Sequence, residues 1–161
     1  MGLLGKLFGT SVKYIYAPVS GMAIPLNQVA DPAFATGLLG KGLAIRPSEG
    51  AIVAPCDATI DMLFDTGHAV TLISDFGAEI LIHVGLDTVS LKGKHFTPRV
   101  EKGQQVKKGQ LLIEFDLSAI KAEGFDTITP VVICNSEHYR SISTHTGKPV
   151  RTGEAVIKVS K

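Results

Sequence analysis

The chain has 161 residues, 45% of them hydrophobic and 19% charged, and its 16 basic and 15 acidic side chains leave a net charge of +1. This length fits one domain whose core needs no disulfide or structural metal, and the apolar content excludes an intrinsically disordered chain. The balanced charge argues against a nucleic-acid partner, and no apolar run is long enough to span a bilayer.

The first predicted element is a short amphipathic segment in an N-terminal tail, residues 1–16. Four apolar side chains fall on one face of a helix there, so residues 1–8 offer at most a peripheral contact with a membrane surface. A frayed terminus is the alternative, because so short a helix is marginal in water. We recognise no signal peptide and expect a cytoplasmic protein with one folded domain at residues 17–161.

Beyond residue 17 the pattern is typical of short strands between glycine and proline turns. The predicted strands are residues 51–63, 68–73, 78–84, 110–115, 129–134 and 154–159. Helix is minor. One turn is predicted at 31–36 with Asp31 as its cap, and another at 117–123 with Ser118 as its cap.

An internal repeat relates residues 101–115 to residues 145–159 through the template G-x-x-V-x-x-G-x-x-[LV]-I-x-[FV]. A weaker echo relates Ala17 and the proline after it to Ala54 and its proline. The template glycines supply turns that other residues resist, and an alternating strand follows each pair. We therefore predict an all-β fold, an antiparallel sandwich or barrel built from two related sheet modules.

Two histidines lie in a predicted hairpin, one in each of its strands, residues 68–73 and 78–84. With a two-residue loop, His68 lies directly opposite His83 and on the same face of the sheet. A left-handed bulge at Gly77 would change this register.

Two adjacent imidazoles allow more than one chemistry. With a carboxylate or a cysteine they hold a metal ion. As a covalent relay, one is a nucleophile and the other a stabiliser, because an imidazole with a pKa of about 6.5 is neutral at pH 7. Two unrelated surface histidines are the third interpretation.

Four segments together resemble the glucose-family enzyme IIA domain of the bacterial phosphoenolpyruvate-dependent sugar phosphotransferase system. They are Thr66-Gly67-His68-Ala69, ILIHVGLDTVSLKG (80–93), VKKGQLLIEFDL (106–117) and TPVVICN (129–135). The resemblance runs from Ala17 to Lys161. It implies a phosphotransferase component that acts as a soluble phosphocarrier through a covalent phosphohistidine, with no cofactor.

The resemblance also implies the roles of five residues. His83 matches the histidine that is phosphorylated at Nε2, and His68 matches the partner that contacts the phosphoryl group. Thr66 matches the threonine that orients this partner. The carbonyl of Gly85 matches the one that binds Nδ1 of the nucleophile, and Asp87 matches an acidic residue at the rim of the site.

The implied partners are the phosphohistidine carrier protein HPr, as donor, and a cysteine of a IIB domain of a sugar permease, as acceptor. Regulatory protein targets are a further option. Asp31 matches a second acidic rim residue, although helix capping explains it equally well. The positions that resemble the family's apolar docking ring are Phe34, Leu38, Leu39, Phe64 and Leu81.

Two positions depart from the family pattern. Gly67 replaces a bulkier polar residue before the second histidine, which loosens that loop. His95 stands where a small or acidic residue is usual, and we interpret it as an exposed neighbour with no role. Cys56 and Cys134 lack any ligand spacing and are predicted as small buried apolar residues.

Three other functions stay open. A zinc peptidase of the lysostaphin type needs three protein ligands, whereas His68 and His83 would hold zinc only at an interface that a partner's carboxylate completes. A biotin or lipoyl carrier shares the VEKGQQVKKGQLLIEFD pattern but needs an acceptor lysine at a hairpin tip, which we do not find. A regulatory module would use the same face without transferring a phosphoryl group.

Overall fold

Glycine and proline turns cut residues 11–161, the part of the chain that the computed structural model describes, into short strands with very little helix. The strands are β1 (Val12–Tyr16), β2 (Gly21–Pro25), β3 (Lys41–Pro47), β4 (Ala51–Val53), β5 (Ala58–Leu63), β6 (Ala69–Ser74), β7 (Glu79–His83), β8 (Phe96–Pro98), β9 (Gln105–Val106), β10 (Leu111–Phe115), β11 (Thr129–Ile133), β12 (Ser141–Thr144), β13 (Lys148–Val150) and β14 (Ala155–Ser160). The helices are α1 (Pro32–Ala35) and α2 (Leu117–Ala122), with 3-10 turns at Leu26–Gln28, Thr88–Leu91 and Ser136–His138. The predicted all-β class is confirmed.

Across residues 11–161, all strand pairs are antiparallel and the strands form three sheets. The largest has the order β13-β2-β3-β11-β7-β6-β5-β9, and the two smaller ones have the orders β1-β14-β12 and β4-β10-β8. Within the described residues, no helix has the length and apolar character that crossing a bilayer requires.

The predicted duplication appears in the hydrogen bonds of the repeated glycine turns. Gly103 N donates to the Ile60 carbonyl and Gly147 N to the Ala23 carbonyl, both at 2.8 Å. The second glycine of each template also donates its N–H to a backbone carbonyl. Gly109 N donates to the Ala54 carbonyl and Gly153 N to the Ala17 carbonyl, both at 2.9 Å. The large sheet therefore has a first half (β13, β2, β3, β11) and a second half (β9, β5, β6, β7), which meet where β11 pairs with β7.

The folded sheet begins earlier than the predicted domain. β1 lies inside the tail assigned to residues 1–16, yet Val12 through Tyr16 pair with β14 from Ser160 back to Ala155. The amphipathic segment predicted within residues 1–8 lies outside the described residues. The predicted strand 51–63 is two strands, because residues 54–57 turn the chain from one sheet into another.

Aspartates cap both helices. Asp31 Oδ1 accepts from Ala33 N at 3.0 Å, as predicted for α1. The predicted cap of α2, Ser118, is wrong, because Ser118 lies within the helix and Asp116 Oδ1 accepts from Ala119 N at 3.0 Å. The N-cap side chain must stand just before the first helical residue to reach these free amides.

The central strand β7 separates two apolar clusters by the alternation of its side chains. Ile80 and Ile82 lie in the main core, which the three sheets share. Leu81 belongs to a smaller cluster on the opposite face, together with Phe34 and Ile128. His83, two residues beyond Leu81, therefore lies on the face of the smaller cluster.

Candidate active site

The β6–β7 hairpin differs by one residue from the predicted register. Ala69, not His68, lies opposite His83, and the pairing continues to Ile73 opposite Glu79. Gly77 has φ 91° and donates to the Ser74 carbonyl at 3.0 Å, so the loop has three residues instead of two. The left-handed glycine that was the open alternative decides the register.

The two imidazoles meet despite this shift. His68 precedes β6 and follows Gly67, whose φ of 71° takes the chain out of the strand pleat. The His68 carbonyl accepts from Val84 N at 2.7 Å, which ties this turn to the end of β7. The ring centroids of His68 and His83 are 4.9 Å apart, with their planes at 81°.

His83 has a defined tautomer. Its Nδ1 donates to the carbonyl of Gly85 at 2.7 Å, because a carbonyl oxygen only accepts. The ring proton is therefore on Nδ1, and Nε2 carries a free lone pair. Burial lowers the pKa of His83, while the Gly85 carbonyl and the charges of Asp31 and Asp87 oppose that shift. A neutral ring with a free Nε2 is a nucleophile.

His68 is the more buried of the two rings, with 2% of the residue exposed. Burial, with a smaller contribution from His83, lowers the pKa of His68 to about 4. Its Nδ1 shares a hydrogen bond with Thr66 Oγ1. The side chain is therefore neutral at pH 7, and Thr66 fixes the direction of its ring.

Three phenylalanine rings enclose the imidazole pair. Phe34 on α1 meets His83 edge-on at 5.4 Å, and Phe64 meets His68 at 5.3 Å. The ring of Phe96 also meets His68 edge-on, with the centroids 6.4 Å apart. These contacts explain the desolvation of both rings and restrict their rotation.

The predicted docking ring is only partly on the surface. Phe34 and Leu81 are 3% and 9% exposed, so both belong to the smaller apolar cluster instead. Leu38 is 78% exposed, Leu39 is also exposed, and Phe64 is half-buried. Phe34 leaves the surface because α1 folds its ring onto His83.

Sequence reasoning missed two exposed apolar side chains, Val89 and Met62. Val89 lies in the 3-10 turn two residues beyond Asp87. Met62 lies on β5 opposite Thr71, which in turn pairs with Leu81. The 3-10 turn gives Val89 no periodic signal of exposure. For Met62, a register shift between Ile60 and Met62 breaks the alternation of β5, so its exposure did not follow from the sequence pattern.

Two predictions outside the site are corrected. Cys56 is buried, and burial raises the pKa of its thiol to about 12, but Cys134 is exposed rather than buried because it follows the end of β11. His95 is not a free surface residue. Its side chain is 18% exposed and its Nε2 pairs with the Glu123 carboxylate, which also lies 3.5 Å from Lys94 Nζ.

The donor set for a metal ion is small. Among residues 11–161, no three histidine, cysteine, aspartate or glutamate side chains converge as ligands. His68 and His83 thus offer two imidazole nitrogens, one fewer than a catalytic zinc site takes from its protein.

Comparison with known proteins gives consistent matches. The family model of the phosphoenolpyruvate-dependent sugar phosphotransferase system, EIIA 1, matches residues 13–139. The glucose-specific EIIA component of Bacillus cereus is 44% identical over 160 residues, covering 96% of this chain and 97% of that protein. The structure of glucose permease IIA from Mycoplasma capricolum superposes with a TM-score of 0.84 at 33% identity, covering 92% of this chain and 96% of that one.

Other relatives are much longer. The beta-glucoside-specific EIIBCA component of Dickeya chrysanthemi is 51% identical over 140 residues, which are 87% of this chain but 21% of that protein. The chain thus spans about a fifth of the length of this curated relative.

Proposed function

Since the chain belongs to the EIIA 1 family of the phosphoenolpyruvate-dependent sugar phosphotransferase system, and is an EIIA phosphotransferase component, we propose that it carries the phosphoryl group on Nε2 of His83. The observation that carries this proposal is the bond from His83 Nδ1 to the Gly85 carbonyl. It holds the ring proton on one nitrogen and leaves the other free to attack.

His68 stabilises the group in transfer. We assign the Thr66 hydroxyl as the donor in its hydrogen bond with His68 Nδ1. This assignment leaves the ring proton of His68 on Nε2, where it donates to a phosphoryl oxygen. The distance of 4.9 Å between the two ring centroids supports this role, because a phosphoryl group on His83 would be within reach of the neighbouring imidazole. Because its pKa is about 4, His68 donates as a neutral ring throughout the physiological range.

The transfer conserves charge and atoms. The bond from phosphorus to the donor imidazole breaks as the bond to His83 Nε2 forms, and the donor ring leaves neutral. His83 keeps its Nδ1 proton and becomes positively charged, which the Gly85 carbonyl and the carboxylates of Asp31 and Asp87 stabilise. In the next step this bond breaks while a cysteine thiolate of the acceptor bonds the phosphorus.

We assign HPr as donor and a IIB domain as acceptor. The name of the Dickeya relative joins B, C and A components in one protein, which supports a IIB acceptor. The exposed apolar side chains beside the site provide a docking surface, and Asp87 supplies charge for a basic partner. This docking surface consists of the exposed side chains of Leu38, Leu39, Met62 and Val89 together with the half-buried Phe64.

Regulatory targets belong to the same proposal, because a phosphate of about two negative charges on His83 would change what this face binds. The proposal also retains the cytoplasmic location expected from the sequence.

Mass spectrometry of the intact chain tests the proposal after incubation with phosphoenolpyruvate, enzyme I and HPr. The wild-type chain gains one acid-labile phosphoryl group, and His83→Gln gains none. The control is His145→Gln, which replaces an exposed histidine directly after β12. This variant should be labelled as the wild-type chain is. Normal labelling of His83→Gln would refute the assignment.

A further inference from the structure

The peptide unit between Gly85 and Leu86 is held at both ends. Its carbonyl accepts from His83 Nδ1 at 2.7 Å, and its N–H donates to the Asp126 carbonyl at 2.9 Å. Because the C=O and N–H of a trans peptide point in opposite directions, the contact with Asp126 turns the carbonyl towards the imidazole.

Gly85 is itself confined. Its φ is 80°, and its N–H donates to the Ile128 carbonyl at 3.0 Å. A Cβ on this residue would lie 2.5 Å from Thr88 Cγ2 and 2.9 Å from the Asp126 carbonyl oxygen. Thr88 therefore packs directly against the backbone that presents the carbonyl.

Thr88 contacts the turn through both branches of its side chain. The residue is completely buried, and its hydroxyl donates to the Val84 carbonyl at 2.5 Å. Its methyl group lies against Gly85. One side chain thus fixes the residues before and at the carbonyl that receives the His83 proton.

We propose that Thr88 is a positioning residue for the phosphoryl acceptor, acting through the Gly85 carbonyl on the tautomer of His83. Its importance for transfer depends on the proposed function, but its effect on the tautomer does not. Without the hydroxyl, the turn loses the bond to Val84, the Gly85 carbonyl is less well aimed, and the ring proton populates Nε2. A protonated Nε2 has no lone pair with which to attack phosphorus.

The matched control is Ser136 in the corresponding 3-10 turn after β11. Its hydroxyl donates to the Ile133 carbonyl, as that of Thr88 does to Val84, and accepts from Lys41 N at 2.8 Å. Ser136 is also buried, but it lies beyond the end of β11 that is remote from His83. Ser136→Ala therefore removes a buried hydroxyl of the same kind without touching Gly85.

Nitrogen-15 NMR of the histidine side chains in the unphosphorylated protein is the decisive measurement. We expect Thr88→Val to shift the His83 nitrogens towards the Nε2–H form and to slow phosphorylation by HPr roughly two- to tenfold, the range for one hydrogen bond. Thr88→Ser, which keeps the hydroxyl, restores both. Ser136→Ala leaves the His83 signals unchanged.

A folded Thr88→Val protein with wild-type His83 nitrogen shifts would overturn the inference. If Thr88→Val does not fold, Thr88→Ala removes the same hydroxyl without a branched replacement and is measured in its place. Failure of the proposed function looks different, since it is seen as labelling of His83→Gln whatever tautomer the NMR spectrum reports.

Discussion

The two central strands, β7 and β11, end in similar turns whose hydrogen bonds serve different purposes. Each turn leads into a 3-10 helix, at Thr88–Leu91 and at Ser136–His138. After β7, the Gly85 carbonyl points back at His83. After β11, the Asn135 side chain accepts from Glu79 N at 2.9 Å and donates to the Gly77 carbonyl at 3.0 Å, closing the neighbouring hairpin.

The duplicated halves therefore share their backbone architecture, whereas the reactive imidazole belongs to one turn only. Both halves of the sheet share strand pairing and glycine turns, but β11 ends in the buried Ile133 where β7 ends in the imidazole of His83. A backbone carbonyl freed from the ladder at the end of β7 became the acceptor for that imidazole.

Replacing His68 should have the largest effect of the changes considered, and the effect is on the rate of phosphoryl transfer. We expect His68→Gln still to accept phosphate on His83 but to pass it to a IIB cysteine about 100-fold more slowly, the range for losing one donor to the transferred group. Stopped-flow transfer from the phosphorylated variant measures this. A normal rate would exclude the role given to His68.

Gly85→Ala should break the same turn by steric conflict. The new Cβ meets the Thr88 methyl and the Asp126 carbonyl at a left-handed φ, so the free energy of unfolding should fall by about 3 kcal/mol. Urea unfolding measures the loss. Gly103→Ala is the control, because its φ is also positive but its Cβ enters open space, and it should cost about 1 kcal/mol. Equal losses would show that the close packing around Gly85 is unimportant.

Asn135→Ala should damage the β11 turn without affecting the chemistry. Losing two hydrogen bonds to the β6–β7 hairpin should lower the free energy of unfolding by about 2 kcal/mol. Folded protein should still be phosphorylated at the wild-type rate, measured by intact mass against time. Slow labelling of the folded variant would mean that the two turns are coupled.

Acid should destabilise the half of the sheet that contains the histidines. Because the folded-state pKa of His68 is about 4, below the ordinary 6.5, the unfolded chain binds more protons between these values. Stability therefore falls as pH drops through this window, by on the order of 1 kcal/mol per pH unit. Between pH 7 and pH 5, the free energy of unfolding measured with urea should fall less for His68→Gln than for His145→Gln. Identical losses would contradict a lowered pKa of His68 in the folded protein.

The smallest effect concerns docking. Leu38→Ala should leave stability unchanged, because the side chain is 78% exposed, and should raise the KM for phospho-HPr by about two- to fivefold, as expected for a contact worth about 1 kcal/mol. Tyr14→Ala replaces an exposed aromatic residue on the β1-β14-β12 sheet and serves as control. Equal KM values for the two variants would remove Leu38 from the docking surface.

Much of the site was predictable, because its signals are local in the chain. The HVGLDTVSLKG segment and the upstream His68 identified both imidazoles, and Thr66 and Gly85 lie within two residues of the rings that they orient. The contact with Asp126 was not predictable, because it joins the Gly85–Leu86 peptide to a segment forty residues further along the chain. The burial of Thr88 against Gly85 was not predictable either, since an exposed threonine gives the same local pattern.

The amino-acid sequence by itself determined the strand-rich class, the duplicated glycine turns and the chemical identity of the paired groups. These follow from side-chain type, spacing and turn preference, which are properties of neighbouring residues. Only the tertiary structure decided the burial of Phe34 and Leu81, the enclosure of the two imidazoles by phenylalanine rings, and the contact with Asp126 that aims the Gly85 carbonyl. Each depends on a contact between distant segments, and on the exclusion of water that such contacts produce.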